Sequence, residues 1–574
     1  MAIVHWSLFA SSSLGTRHSL LIALHSLLFY YAPMAEPAAP AESPGPSRSG
    51  GLAVAAAIVA FGFVGSRLLG VLRTVAIADA FGASPELSAY FVAFRIPDLI
   101  FQVLAGATLG SAFIPVFARI YRRDGEDRAW QLASSVLNLI TVATAALCLA
   151  AFVLAPVLVP LTAPGLGDEA GRHAELTDKA VSLTRLMLLS PLLFAVSGMV
   201  TGILNARQRF LLTALAPMLY NVSIIAGALA LSGPWGVNGL AVAVVAGAGL
   251  HLAVQVPGLV RERMRYRFVF DWRDTAVREV GRLMGPRVVG LAAAQFNFVI
   301  TTFFASKIDD HAIANLSYAW LIVTLPLALF GMSLSTAVFP RLAEHVADGD
   351  FDALRGTVSR VLRLIVFLTV PAALGLALLR WPATTLLLQR GEFTPADAAI
   401  TASALGFYCI GLVPMAGIEI HSRGFYALGD TRTPVIFAVL AVFANLVLSA
   451  LLWDRFEHEG LAFAVSASAW IEWAFLYFFY VRRTGDSPVD DLQALARFAF
   501  CGAAMAIFLA LALWPFDQAS RLDHVVVALA GAVAGGAAYA AAASWFRLPE
   551  LTETAARFRR LLPSSRAKGE AAEG

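Results

Sequence analysis

Residues 106–115 read GATLGSAFIP and residues 331–340 read GMSLSTAVFP. Four of the ten positions are identical, Thr and Ser exchange at two more, and the stretches stand 225 residues apart. Asn221 and Asn445, each following a proline early in an apolar run (Pro217 and Pro434), stand 224 apart. Two separate anchors that agree to one residue mark an internal duplication, and the apolar runs around them give the size of its unit.

Apolar runs bounded by charge or by Gly/Pro clusters give fourteen candidate spans: residues 52–78, 87–118, 130–160, 178–204, 211–231, 237–258, 284–306, 312–340, 358–379, 397–425, 433–453, 460–481, 495–515 and 524–546. The offset carries span 2 onto span 8 and span 5 onto span 11. The unit is therefore six spans, and an even number makes the repeats parallel, with a pathway between them. The expected fold is an all-α polytopic membrane protein of about 14 transmembrane helices, two parallel six-helix repeats (two lobes) plus two C-terminal helices. Residues 51–260 form the first lobe, 261–485 the second, 486–548 the appended pair and 549–574 a basic tail.

The composition agrees. Of 574 residues 59% are hydrophobic and 14% charged, against about 25% charged in soluble domains. With mean hydropathy +0.72, this excludes an ordinary soluble enzyme. A net charge of +3, with no basic face apart from the apolar runs, gives no case for nucleic acid. Cys148, Cys409 and Cys501 lie far apart inside apolar runs, which leaves neither a disulfide framework nor metal spacing. No Walker motif, metal helix or nucleophile elbow occurs.

Loops after even-numbered spans hold 21 arginines, and loops after odd-numbered spans hold seven Lys and Arg. Cytoplasmic loops retain positive charge, which places the even loops and both termini in the cytoplasm. The apolar stretch Leu20 to Tyr31 has the length of a signal core, but a cleaved signal would invert this orientation. Residues 1–50 are read instead as a disordered Ala/Pro/Ser-rich extension or an over-long start with Met34 as initiator.

Ionisable groups inside spans are expensive and usually mark a cavity or pathway. Arg67 lies about 22 Å along span 1 from its cytoplasmic start, too deep to snorkel back. Arg73 follows less than two turns later, and Gly62, Gly65 and Gly70 let the helix bend or a neighbour approach. On span 2, Arg95 and Asp98 flank Pro97 at a spacing that lets them pair. Together these groups suggest a cationic cavity for an anionic group, since the guanidinium fork holds phosphate oxygens bidentately. The structural alternatives are a snorkelling Arg73, a self-neutralised Arg95–Asp98 pair, and an Arg67 paired with a remote carboxylate or with carbonyls. In the second half Gln295 and Asn297 share span 7, and Asn445 lies in span 11. Glu472, inside span 12, is the sharpest candidate for an ion or proton site. Glu419, His421 and Arg423 cluster at the end of span 10, where His421 is expected to be solvated and Arg423 to belong to the loop.

Several stretches resemble the MurJ (MviN) lipid II flippases. They are residues 65–73 (GSRLLGVLR), 81–83 (FGA), 91–97 (FVAFRIP) and 112–115 (AFIP), then Asn205-Ala206-Arg207 with Phe210, 391–394 (GEFT) and 425–434 (FYALGDTRTP). They occur in family order from span 1 to span 11. The resemblance implies a fourteen-helix member of the multidrug/oligosaccharidyl-lipid/polysaccharide exporter superfamily in the bacterial cytoplasmic membrane. It implies movement of the undecaprenyl-pyrophosphate-linked peptidoglycan precursor, lipid II, to the outer leaflet by alternating access. It also implies that the last two helices form a lipid-tail groove. Such a protein is not an enzyme and needs no cofactor; a coupling ion or the membrane potential supplies the energy. Its partners are lipid II or a related glycolipid, membrane lipids and cell-wall synthesis proteins. By resemblance Arg67 and Arg73 are cavity arginines.

This chain departs from the family at several positions. A further cavity arginine four residues after Pro97 is Phe101, the acid-Gly pair is Gly106-Ala107, and the acid before Tyr90-Phe91 is represented by Ser88. The span 8 arginine is Leu321, and the acid one turn after Asn445 in sodium-binding members is Ser449. The cavity is less charged than the family pattern. The alternatives are another polysaccharide-lipid or multidrug exporter, or a non-transporting cell-wall scaffold. A reporter fused after Arg265 is expected to behave as cytoplasmic and one at Gly167 as external; the opposite labelling at both sites would reverse the orientation.

Overall fold

The computed structural model describes residues 49–105, 107–169, 171–485, 488–513, 521–552 and 554. Two units, Met1–Val54 and Ala55–Gly574, divide the chain; the first is described only where helix α1 begins. Residues 1–48 of the expected extension and 555–574 of the expected tail lie outside the described residues.

Helices follow one another with short connections. The first set is α1 (Ser49–Phe81), α2 (Pro85–Ile100), α3 (Ala107–Arg123), α4 (Glu126–Thr162), α5 (His173–Met187), α6 (Leu189–Ala206), α7 (Phe210–Ala230) and α8 (Val237–Ala253). The second is α9 (Thr275–Ala305), α10 (Ala312–Pro326), α11 (Ser333–Ala347), α12 (Phe351–Leu378), α13 (Pro395–Ile410), α14 (Leu412–Ala427) and α15 (Arg432–Thr484). Then come α16 (Pro488–Leu513) and α17 (Arg521–Trp545). Among the described residues ten helices are long and apolar enough to cross a membrane, or eleven if α13 and α14, bent by 45°, count as one span. The 53-residue α15 is counted once there, but Glu457 inside it is non-helical (φ 42°, ψ −124°). That break falls between expected spans 11 and 12.

Local chemistry sets the ends. Ser84 caps α2, accepting from the Leu87 N–H at 3.3 Å, and Pro85 fills the first turn. Thr394 and Asp397 form a reciprocal capping box at α13, with Pro395 between them. On α4 the side chains of Leu149, Val153, Val157 and Leu161 are exposed, while Cys148, Ala151, Ala155 and Val159 are buried. A stripe of large apolar groups every four residues faces hydrocarbon, because nothing in water would compensate its exposure.

The duplication is visible in the backbone. A π-helical segment interrupts span 2 at Phe101–Ala105 and span 8 at Leu327–Met332, an offset of 226 residues that matches the sequence repeat. The two asparagines also act alike. Asn221 on α7 donates to the Ser66 carbonyl on α1 at 3.3 Å, and Asn445 on α15 donates to Asn297 Oδ1 on α9 at 3.1 Å. Each ties the fifth helix of its repeat to the first.

The sets meet at both ends. At the α9 start, Asp274 accepts from the Ala276 N–H at 2.7 Å and pairs with Arg128 at 2.5 Å, while Arg119 pairs with Glu279. There Ala276, Val277 and Val280 pack with Phe113, Phe117 and Trp130. Further along, α9 packs on α15. At the opposite end, which the arginine count assigns to the outside, Tyr318 Oη donates to the Gly82 carbonyl at 2.8 Å and His311 Nδ1 to that of Ala83 at 2.8 Å. Gly165 N–H donates to Ser306 Oγ at 3.3 Å, Gly167 N–H to Asp310 Oδ1 at 2.6 Å, and Glu392 N–H to the Asp79 carbonyl at 3.0 Å. Most of these bonds use backbone groups, so they require close approach of chain to chain.

Gly391, at φ 52°, stands where an added Cβ would strike the Asp79 carbonyl. Gly391→Ala is expected to cost about 1–3 kcal/mol from strain and lost closure, read as a lower Tm. Gly171→Ala, at a positive φ but with open space around it, is expected to cost less.

Candidate transport site

Helices α1, α3, α6, α7 and α10 line an open cavity of about 860 Å³. Glycine spacing brings its walls together. A Cβ on Gly62 would collide with Ala214, and one on Gly65 would sit 2.9 Å from Met218 Cε, whereas Gly70 has open space. The first two therefore let α7 close on α1, and the third belongs to the cavity lining. Arg67 and Arg73 both line this space, six residues and about 9 Å apart on one helix. Opposite them stand Thr201 and Asn205 from α6 and Thr213, Tyr220 and Asn221 from α7. Leu321, where the family pattern has arginine, lies in the α10 wall, so the departure lowers the charge of the cavity itself. Phe101 does not line it; its ring packs on Phe194 at 4.7 Å.

The expected Arg95–Asp98 pair is corrected. Among the described residues the two form no ion pair. Arg95 Nε instead donates to Thr302 Oγ1 at 3.1 Å and its guanidinium lies over the Phe298 ring at 5.2 Å. Asp98 accepts from Gln295 Nε2 at 3.4 Å. All three partners are on α9, so these charges bridge the two sets of helices. Neither lines the cavity. The i, i+3 spacing permitted a local pair, but the facing helix offered better-placed partners.

The structure brings Asn297, Asn445 and Ser449 together, with Ser449 donating to Asn445 Oδ1 at 3.3 Å. Each asparagine oxygen accepts from a neighbour, and among the described residues no carboxylate bonds to them. Among the described residues no group of three or more His, Cys, Asp or Glu is placed to hold a metal. Glu472 stays outside this group, half-buried on α15. Two further expectations are corrected. His421 is 1% exposed rather than solvated, packed against Trp473, Tyr477 and Tyr480 with Nδ1 donating to the Gly417 carbonyl at 2.9 Å. Arg423 lies within α14 rather than in the loop, paired with Glu419 and donating to Thr336 at 2.8 Å.

Next to the cavity-lining Asn205, Arg207 and Arg209 both clamp Glu262 at 2.7 Å, and Arg207 also stacks on Tyr121 at 4.2 Å. Burial alone would raise the Glu262 carboxyl, but the hydrogen bonds from Arg209 and Arg207 outweigh it and hold the group below its ordinary range.

The fold is that of a duplicated, all-helical membrane protein with a polar cavity between its helices. Solved structures share the fold. They include one titled lipid II flippase MurJ in an inward closed conformation (TM-score 0.71, 23% identity, 85% of this chain and 98% of that one). Another is an inward-facing multidrug resistance MATE family transporter (TM-score 0.61, 16% identity, 73% and 94%). The family model described as "Lipid II flippase MurJ" matches residues 77–530. A lipid II flippase MurJ of Burkholderia cenocepacia is 31% identical over 426 residues, covering 73% of this chain and 82% of that protein. A probable lipid II flippase MurJ of Vibrio cholerae is 29% identical over 461, covering 79% and 87%. The chain belongs to the MurJ family.

A depressed carboxyl stabilises the fold above its unfolded value, ordinarily near 4.5, and that contribution is lost as pH falls through the folded value. Thermal melts of the wild type and Glu262→Gln are expected to differ most at neutral pH and to converge below that range. A constant difference across pH would mean the clamp contributes no charge-dependent stability.

Proposed function

We propose that this chain is a lipid II flippase of the bacterial cytoplasmic membrane, with both termini cytoplasmic. It would take the undecaprenyl-pyrophosphate-linked precursor from the inner leaflet and release it to the outer leaflet by alternating access. The observation that carries this reading is that Arg67 and Arg73 line one cavity between helices. Two guanidinium groups suit a pyrophosphate, whose four non-bridging oxygens share two negative charges and can be met by paired forks. Thr201, Asn205 and Asn221 supply neutral donors and acceptors for sugar and peptide groups. The outer-end backbone bonds keep water and headgroup from passing freely while the site is loaded. Release outward requires those bonds to part and the ties around α9 to rearrange. In this reading residues 51–260 and 261–485 are the moving lobes, Arg95 and Asp98 hold them together at mid-depth, and residues 486–548 accommodate the lipid tail. No coupling step is assigned to the Asn297–Asn445 group, whose oxygens are already engaged.

Purified Arg67→Ala and Arg73→Ala proteins are each expected to bind lipid II about 10- to 100-fold more weakly, the worth of a charged hydrogen bond, and to fail in flipping. Lys at either position should restore binding only in part, since a point charge lacks the fork. Unchanged affinity and transport in both stable Ala variants would overturn the cationic-cavity reading. Reduced folded protein with normal specific binding would mean that the arginines are structural.

A further inference from the structure

Beside the cavity, α6 and the segment at the end of α8 share a buried polar chain that the transport reading touches only at Thr201. Ser197 and Gln255 are each 0% exposed. Gln255 Nε2 donates to Ser197 Oγ at 2.8 Å, Ser197 Oγ lies 2.6 Å from His251 Nδ1, and Thr201 Oγ1 donates to Gln255 Oε1 at 2.9 Å. Thr201 is a cavity-lining residue. The chain thus runs from the imidazole to the cavity wall. A second, apolar route runs from the His251 ring to Phe194 at 5.3 Å and from Phe194 to Tyr220, also in the wall, at 5.2 Å.

With the imidazole neutral and its hydrogen on Nε2, the Ser197 hydroxyl donates to Nδ1 while its oxygen accepts from the Gln255 amide. A second proton on Nδ1 reverses one bond only. The Ser197 oxygen has two lone pairs, so it can accept from both Gln255 and His251 while its own hydrogen turns to a carbonyl of its helix. The cluster has two self-consistent hydrogen-bonding states that differ by one proton.

We propose that His251 is a proton-binding site linked to the cavity, so that a proton and the anionic cargo bind together; this rests on the cavity receiving an anion. The charged groups on the elements packed around α8 are engaged elsewhere or lie beyond direct contact. On α2, Arg95 and Asp98 turn to Thr302 and Gln295; on α5, Arg185 donates to the Phe152 carbonyl at 3.2 Å; past α8, Glu262 is held by Arg207 and Arg209. On α7 the titratable group is Tyr220, one ring away, and α6 offers only hydroxyls and the Asn205 amide. Among the described residues no carboxylate pairs with His251. An added charge there has no local counter-ion and is costly. A pyrophosphate in the adjacent cavity supplies the missing negative potential, and by reciprocity the proton raises affinity for the anion. The cargo would enter partly neutralised, which eases its passage through an apolar slab, and deprotonation would loosen it.

The test uses the full-length protein in nanodiscs. Lipid II affinity is measured from pH 5.5 to 8, together with the ring-15N spectrum of histidine-labelled protein, which contains ten histidines. The wild type is expected to bind about tenfold more tightly at the acid end, within the usual range of coupling between sites. One histidine resonance should titrate at higher pH when lipid II is present. His251→Gln, whose amide can still meet Ser197, should remove that resonance and give a flat profile at the weaker, high-pH affinity. Thr201→Val should keep the resonance but shrink its response to lipid II. A wild-type profile that is flat, or one that His251→Gln leaves unchanged, overturns the proposal while leaving the flippase reading intact. If instead Arg67→Ala and Arg73→Ala bind lipid II as the wild type does, the cavity reading is what fails.

Discussion

A guanidinium carried deep into a hydrocarbon slab must be given water or a partner, because there is no third way to satisfy five donors and a charge. Arg67 and Arg73 impose that requirement on the first helix, and much of the fold answers it. Small residues at Gly62 and Gly65 bring α7 against α1, Asn221 locks the pair by donating to the Ser66 carbonyl, and the same two helices then open around Gly70. The polar side chains from α6 and α7 are grouped where those arginines are. Elsewhere the surface is given over to large apolar side chains, as on α4.

Duplication explains why a chain of this length can hold such a site and still move. Each repeat ties its fifth helix to its first through an asparagine, and each breaks its second helix with a π-helical segment. The repeats thus have internal locks of their own. What joins them is mixed: hydrogen bonds to backbone groups at one end, ion pairs and aromatic packing at the other, the Arg95–Thr302 and Asp98–Gln295 contacts between, and a buried apolar core that draws on both repeats. The single hydrogen bonds can be exchanged with water as they part.

The two halves have diverged in chemistry while keeping geometry. The first half retains its cavity arginines. In the second, Asn445 meets Asn297 and Ser449 in a closed neutral set, and His421 is packed among aromatic rings where its end-of-span position suggested solvent. Leu321, reaching the cavity from the second half, adds surface without charge. Both arginines that line the cavity are therefore on one lobe. The polar chain through Ser197, Gln255 and His251 lies on that same lobe.

Hydropathy and the 225-residue offset were legible from residue order alone, because a membrane span is a local property and a parallel repeat is a simple translation along the chain. The resemblance to a transporter family rested on short contiguous motifs and was equally local. The direction in which a side chain turns was not. Arg95 and Asp98 looked like partners three residues apart, yet each also reaches a partner about two hundred residues away on α9 and neither pairs with the other. Thr201, Asn205 and Tyr220 carry no signal as isolated polar residues in apolar helices, and the Ser197–His251 contact spans 54 positions. The sequence by itself determined that the chain is built of apolar helical segments, how they repeat and where charge interrupts them. Only the tertiary structure decided which of those charges meet across helices and which face the cavity, because that depends on the rotation and close approach of helices set by distant glycines and asparagines.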